Sequence, residues 1–216
     1  MRPITITVGP LTASSGNNIA LSQTPGAAGA ITLNGSLVTG GVAVIGNAQQ
    51  IKLTTNDSTH TAVIAGTDWN GSPISETVTF NGTNVTSVLS YKTVTSIVVN
   101  AALTAAITVG TSGVGYSNWA RMDEWANPQV TMQFDVTGTV NYTVQSSLDD
   151  PNSATEPVLT SAMNWVNTND TNVVGATNSL QSNYLFAPTF IRVLLNSSGA
   201  TGVVVGKIIQ ASVAPY

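Results

Sequence analysis

The chain has one histidine, His60, in the stretch "NDSTHTAV" (56–63), where Asp57 and Ser58 stand just before it. Serine, histidine and aspartate are the residue types of a charge-assisted nucleophile. On extended backbone, residues this close in sequence point different ways, so the expectation is a turn or strand-edge histidine. No cysteine is present to act as a nucleophile, to ligate a metal as thiolate or to form a disulfide. Paired carboxylates could hydrolyse a glycoside, and Asp123–Glu124 and Asp149–Asp150 are adjacent acids. Neighbours on a strand face opposite sides, however. The stretch "DDPNSATE" (149–156) offers Asp149, Asp150, Asn152 and Glu156 as oxygen ligands for calcium. It lacks the spacing and the glycine of an EF-hand, and a hairpin-end loop is the simpler expectation. No phosphate-binding or dinucleotide fingerprint occurs. The chain is expected not to be an enzyme and to carry no cofactor or metal.

A denser group lies at "NWARMDEWANP" (118–128), with two tryptophans, an arginine and two acids in a chain that is only 7% charged. Trp and Arg are favoured where two surfaces bury each other. Trp119, Arg121 and Trp125 are therefore expected to anchor an inter-domain or inter-subunit contact, with Asp123 and Glu124 available to pair with Arg121. The alternative is that both rings cap the core of the domain that follows. Trp69, just before Asn70–Gly71, is expected to be exposed and could meet a partner or a sugar ring; Trp165 in "MNWVN" reads as a core strand residue.

The elements that must position these residues are strands. Alternation is clear in "IKLTTN" (51–56), "TAVIAG" (61–66), "ETVTFNG" (76–82) and "KTVTSIVVN" (92–100), and no window sustains a helical stripe. Turn residues separate them at Asn56–Asp57, Asn70–Gly71 and Asn81–Gly82. Asn-Gly between alternating runs favours a two-residue hairpin, most clearly at Asn81–Gly82, and a meander follows. "QVTMQFDVTGTVNYTVQSSL" (129–148), "FIRVLLNS" (190–197) and "GVVVGKIIQASV" (202–213) continue the pattern. Short strands at regular spacing predict an all-β chain of two antiparallel β-sandwiches, Ig-like or jelly-roll-like. The expected division is an N-terminal arm at 1–23, a first sandwich at 24–112 and a second at 113–216. Ile4 and Ile6, in "ITITV", would let the arm add a strand to a neighbour's sheet.

Charge is scarce. Globular chains average about 25% charged residues, whereas this one has six Lys and Arg against ten Asp and Glu, a net charge of −4. Val, Ile and Leu recur throughout, which argues against disorder. Scattered cations give no footprint for a phosphate backbone, so no nucleic-acid partner is expected. The longest apolar stretch, "SIVVNAALTAAITVG" (96–110), is too short and too polar to span a bilayer as a helix. The N-terminus lacks the pattern of a secretory signal; a soluble protein without a membrane partner is expected.

The first domain resembles a pattern in virion proteins of tailed bacteriophages. It runs through "LSQTP" (21–25), "GAITLNGS" (29–36), "GGVAVIGNAQQIKLTT" (40–55), "AVIAGTDWNGSPISETVTF" (62–80), "SYKTVTSIVVN" (90–100) and "ITVGTS" (107–112). The second half is similar to what often follows it there, in "VTGTVNYTVQSSLDDPNS" (136–153) and "FAPTFIRVLLNSSGATGVVVGKIIQ" (186–210). Trp69 departs from the pattern, which more usually has an acidic or small residue there. The resemblance implies a non-enzymatic structural protein located in the virion. Its expected role is to decorate or cement the head exterior as a homo-oligomer, with the major capsid protein as partner. A neck, collar or tail component is the alternative within that class, and a carbohydrate-binding module or host adhesin the alternative outside it.

Overall fold

The computed structural model describes residues 3–122 and 129–210. The chain is all-β, with antiparallel pairing throughout its sheets and a single 3-10 turn at Thr171–Val173 among the described residues. No described helix is long and apolar enough to cross a membrane. Two compact units result: residues 11–115 form one, and residues 1–10 join 116–216 to form the other.

The expected arm therefore does not hold together as one element. Strand β1 (Ile4–Val8) pairs antiparallel along the last strand of its own chain, from Ile4 opposite Ile208 to Val8 opposite Val204. Its alternation explains this. Ile6 and Val8 are buried, with Ile6 only 1% exposed, while Ile4 is 41% exposed. Ile6 is thus a core residue of its own unit, and pairing that joins residue 4 to residue 208 could not be read from local pattern.

In the 11–115 unit the strands are β2 (Ala20–Gln23), β3 (Gly29–Ala30), β4 (Val38–Thr39), β5 (Val42–Thr55), β6 (Thr61–Thr67), β7 (Pro73–Thr79), β8 (Asn84–Val99) and β9 (Ile107–Thr111). They form one sheet in the order β2-β9-β5-β8-β6-β7, with β3 and β4 short additions to β8 and β5. The long strands β5 and β8 hold it together. Their ladder breaks register between Val44 and Gln49 and again between Gln50 and Lys52, the kind of bulge that lets a strand turn a corner and serve two layers. One half of β5 pairs β9; the opposite half of β8 pairs β6. Ile45, Ile51, Leu53, Ile64, Tyr91, Ile97 and Ile107, all fully buried, share the core between them.

The expected meander is corrected by this order. Asn81–Gly82 does not close a hairpin, because β7 pairs β6 and β8 pairs β5 and β6. A type I′ turn needs positive φ at both central residues, but only Gly82 has it, at 78°. Asn81 instead accepts the Thr83 N–H through its side chain, and the chain crosses over. The true hairpin is β6–β7, turned at Asn70–Gly71 with Gly71 at φ 84°.

The other unit adds β10 (Gly115–Tyr116), β11 (Ala120–Arg121), β12 (Val130–Thr137), β13 (Val140–Ser147), β14 (Val166–Asn167), β15 (Val174–Ala176), β16 (Leu180–Tyr184), β17 (Phe190–Ser198) and β18 (Val203–Gln210). One sheet runs β1-β18-β12-β16 and the other β10-β17-β13-β14, with β11 on β17 and β15 on β13. Their inner faces meet where the rings of Phe134 and Tyr142, both fully buried, lie 5.6 Å apart. Tyr142 donates its hydroxyl to the Asn178 carbonyl, 3.1 Å away, and burial pushes its pKa up to about 12.

Gly66 marks where β6 approaches β8 most tightly, since a Cβ there would collide with the Thr93 carbonyl. Gly66→Ala is expected to destabilise the 11–115 unit by about 3 kcal/mol through overpacking, measured as a lowered urea midpoint for that unit.

Candidate functional site

The described chemically capable residues have definite structural settings. The Asp57 side chain is fully buried, with one carboxylate oxygen 2.8 Å from His60 Nδ1. It also accepts the backbone N–H groups of Thr59, His60 and Thr104 and the Thr104 hydroxyl. The Thr59 N–H above all, then the His60 ring and Thr104, hold its pKa well below the usual carboxylate range, against the opposing push of burial. The pair fastens the crossover after β5 to the 100–104 loop. It is a buried backbone acceptor, in keeping with the expected turn histidine.

Two carboxylates of the 149–156 loop, Asp149 and Asp150, are engaged as well. Asp149 accepts the Asn164 N–H at 2.5 Å. Asp150 accepts the Asn152 N–H and pairs with Arg121 at 2.8 Å; these two contacts, the N–H first, lower its pKa. Among the described residues no group of three His, Asp or Glu side chains is arranged to hold a metal ion.

Trp119 and Arg121 belong to a continuous stack inside the 116–210 part of their unit. Arg192 lies between two rings, 4.2 Å from the Tyr116 centroid and 3.9 Å from that of Trp165. Trp165 meets Trp119 at 5.3 Å, Trp119 meets Phe190 at 5.6 Å, and Arg121 sits over Phe190 at 5.4 Å. Arg192 is 8% exposed and donates Nε–H to the Gln145 side chain at 2.9 Å. Burial draws its pKa down to about 10, so it remains a cation at neutral pH. Ring faces stabilise a desolvated guanidinium electrostatically, which is how this cation is accommodated.

The alternating contacts explain the local sequence. Trp119 and Arg121 flank Ala120 on β11, whose two pairs to β17, Ala120 with Ile191 and Arg121 with Phe190, set them on that strand's face. Trp119 is half-buried and its indole N–H is enclosed without a partner. Trp165 precedes β14 and is half-buried, a ring in the stack rather than the strand core residue expected. Trp125, with Asp123 and Glu124, lies outside the described residues. The contacts of Trp119 and Arg121 are those of a cap on their own unit, and the sequence pattern could not separate this from a partner contact.

The motif "GTDWNGSPISETV" (66–78) also has a geometric task at most positions. Gly66 permits the close approach described above. Asp68 accepts the N–H groups of Asn70 and Ser72, building the turn that Gly71 completes. Glu76 reaches from β7 to the bulged part of β8, where its two oxygens accept the N–H groups of Val88 and Leu89 at 2.7 and 2.8 Å. Trp69 is 37% exposed at the hairpin tip.

A cleft of about 410 Å³ opens between the end of β13, the 164–169 segment and the end of β16. Sequence reasoning missed it because three separated segments build it. Its walls include Asp149, Asn164, Asn167, Asn169, Tyr184 and Phe186. The rings of Tyr184 and Phe186 meet edge-on at 5.3 Å. The Tyr184 hydroxyl is enclosed without a partner in hydrogen-bonding geometry; burial pushes its pKa up, and nearby Ser146 and Thr168 moderate the rise.

No family model matches this chain, and no curated protein matches it either.

Two outcomes test these assignments. Asp57 has a depressed folded-state pKa, so its stabilisation is present above the unfolded value of about 4 and is lost as pH falls through the folded value. Asp57→Asn should lower the melting temperature at neutral pH and flatten the acid limb of the stability profile, as followed by circular dichroism. Trp119→Ala should destabilise its own unit by about 3 kcal/mol; an unchanged urea midpoint would remove Trp119 from the cap.

Proposed function

We propose that this chain is a non-enzymatic structural protein of a tailed double-stranded DNA bacteriophage particle. In this reading it decorates or cements the head exterior as a homo-oligomer. The observation that carries it is the character of the β6–β7 hairpin, nearly all of which lies within the segment 62–80 that resembles virion proteins. Glu76 is the only charged residue in β6 and β7, and both of its oxygens are occupied by β8. On the outer face Val63 and Val98 are registered partners, each 39% exposed, with Thr77 opposite Val63 on the other side. β7 ends the sheet, and its far edge pairs with no strand among the described residues.

Such a surface suits repeated packing. Valine and threonine lose little rotamer freedom on contact, unlike lysine and glutamate. An edge strand without charged protection tends to pair with another chain, and a particle with many fixed neighbours supplies that partner. A mildly acidic protein also suits the outside of a DNA-filled shell better than its lining. The contact is thereby assigned to β6–β7 and Trp69, in place of Trp119 and Arg121, whose visible contacts are internal.

The test is the copy number of this chain in purified particles, by quantitative mass spectrometry against the shell protein. A number comparable with the shell protein is expected; a number matching one ring would move the chain to the neck, collar or tail. Absence from the particle would overturn the reading. The double variant Val63→Lys with Thr77→Lys should lower occupancy on particles at least tenfold with an unchanged melting temperature, since two desolvated charges cost more than the ~1.4 kcal/mol that a factor of ten requires.

A further inference from the structure

We propose that the cleft between β13, the 164–169 segment and β16 binds a neutral sugar. Its volume, about 410 Å³, lies within the range of small-molecule sites. The lining combines an apolar wall with convergent polar groups. Phe186 is 46% exposed, and Leu148 beside it in the lining is 73% exposed. The enclosed edge of Tyr184 supports the Phe186 ring. A ring held edge-on by a buried neighbour is fixed in orientation, so little freedom is lost when the C–H face of a pyranose rests on it.

The polar groups select the ligand class. Asp149 uses one oxygen for the Asn164 N–H and keeps the other as an acceptor. Asn167 accepts from the Gln145 amide through its oxygen, which leaves its own N–H groups as donors. Asn164 and Asn169 add further amides to the lining, and amides both donate and accept. Carboxylate and amides together match the paired donor and acceptor capacity of vicinal hydroxyls. Among the described residues no lysine or arginine lines the cleft, and Asp149 makes it acidic. Phosphorylated, sulfated and carboxylated ligands are thereby disfavoured. The mixture of polar wall and single apolar platform also fits poorly with a purely hydrocarbon ligand.

The site is distinct from Trp69, the ring that sequence pattern singles out for sugar contact. It does not depend on the virion reading: copy number in particles and sugar binding by the isolated chain are measured separately, and either can fail alone.

The experiment titrates the full ¹⁵N-labelled chain with glucose, galactose, mannose and N-acetylglucosamine, following amide shifts, with N-acetylneuraminic acid as the charged comparison. At least one neutral sugar should give saturable shifts confined to 146–149, 164–169 and 184–186, with a dissociation constant on the order of 1 mM, ordinary for a small exposed site. Phe186→Ala and Asn169→Ala, both surface changes, should each weaken that binding about tenfold or more while the remaining spectrum is retained. Trp69→Ala should leave it unchanged. Absence of shifts with all four neutral sugars would overturn the proposal. So would binding that survives Phe186→Ala, binding that is lost in Trp69→Ala, or preference for the charged sugar.

Discussion

Side-chain oxygens accepting backbone N–H groups are the interaction on which this structure depends. A sheet protein must satisfy its backbone wherever a ladder breaks, at bulges, crossovers and loop ends, or leave costly buried orphans. Here acids and amides do that work. Asp57 gathers the Thr59, His60 and Thr104 N–H groups, Asp68 those of Asn70 and Ser72, and Glu76 those of Val88 and Leu89. Asp149, Asp150 and Asp170 do the same in the other unit. The few carboxylates of the chain are thus largely committed to local architecture. At Asp57 and Asp150 the backbone N–H donors also hold the carboxyl pKa down, whereas at Glu76 burial raises it despite two such donors.

The register breaks between β5 and β8 draw on the same interaction. Bulging the ladder frees the Val88 and Leu89 N–H groups on the bulged stretch. Glu76 answers them from β7, the strand at the far end of the sheet order. The residues that look like a motif in 66–78 are therefore connected by one geometric problem. Gly66 allows β6 to lie close, Asp68 and Gly71 turn the chain, and Glu76 returns to close the bulge. A motif of this kind marks a fold and its packing, whereas a motif for chemistry would leave its polar groups uncommitted.

Most strands were legible from alternation, because period-two burial is a local property: 61–66 and 190–197 fall within strands, and 51–56 and 92–100 do so except for Asn56 and Asn100 just past the strand ends. Pairing was not legible. Asn-Gly reports that a glycine takes positive φ, which Gly71 and Gly82 both do, yet it does not say which strands flank the turn in the sheet. Only Asn70–Gly71 closes a hairpin. β1 was misread for a similar reason, since its partner lies some two hundred residues away in sequence. The tryptophan segment was legible as a burial site but not as to what covers it; Trp165, Phe190 and Arg192, all distant in sequence, supply the cover. The cleft had one local signal, the apolar run "YLFAP" (184–188), in which Leu185 is 75% exposed and Phe186 46%. A strand end that keeps its apolar residues in water is worth marking even when no motif surrounds it.

The two units place their uncommitted surface differently, and this difference carries the functional reading further than the fold does. On β6–β7 what remains exposed is chiefly Val, Thr and Ser beside an unpaired strand edge, a surface whose polar groups are short hydroxyls and the backbone itself. Selectivity there can come only from shape and strand pairing, which suits a fixed protein neighbour. Around Phe186 the exposed groups are an aromatic ring, a carboxylate oxygen and several amides, which have direction and can discriminate one small hydroxylated molecule from another. Edge pairing between chains is worthwhile over many residues and many copies, while a cleft of this size acts singly.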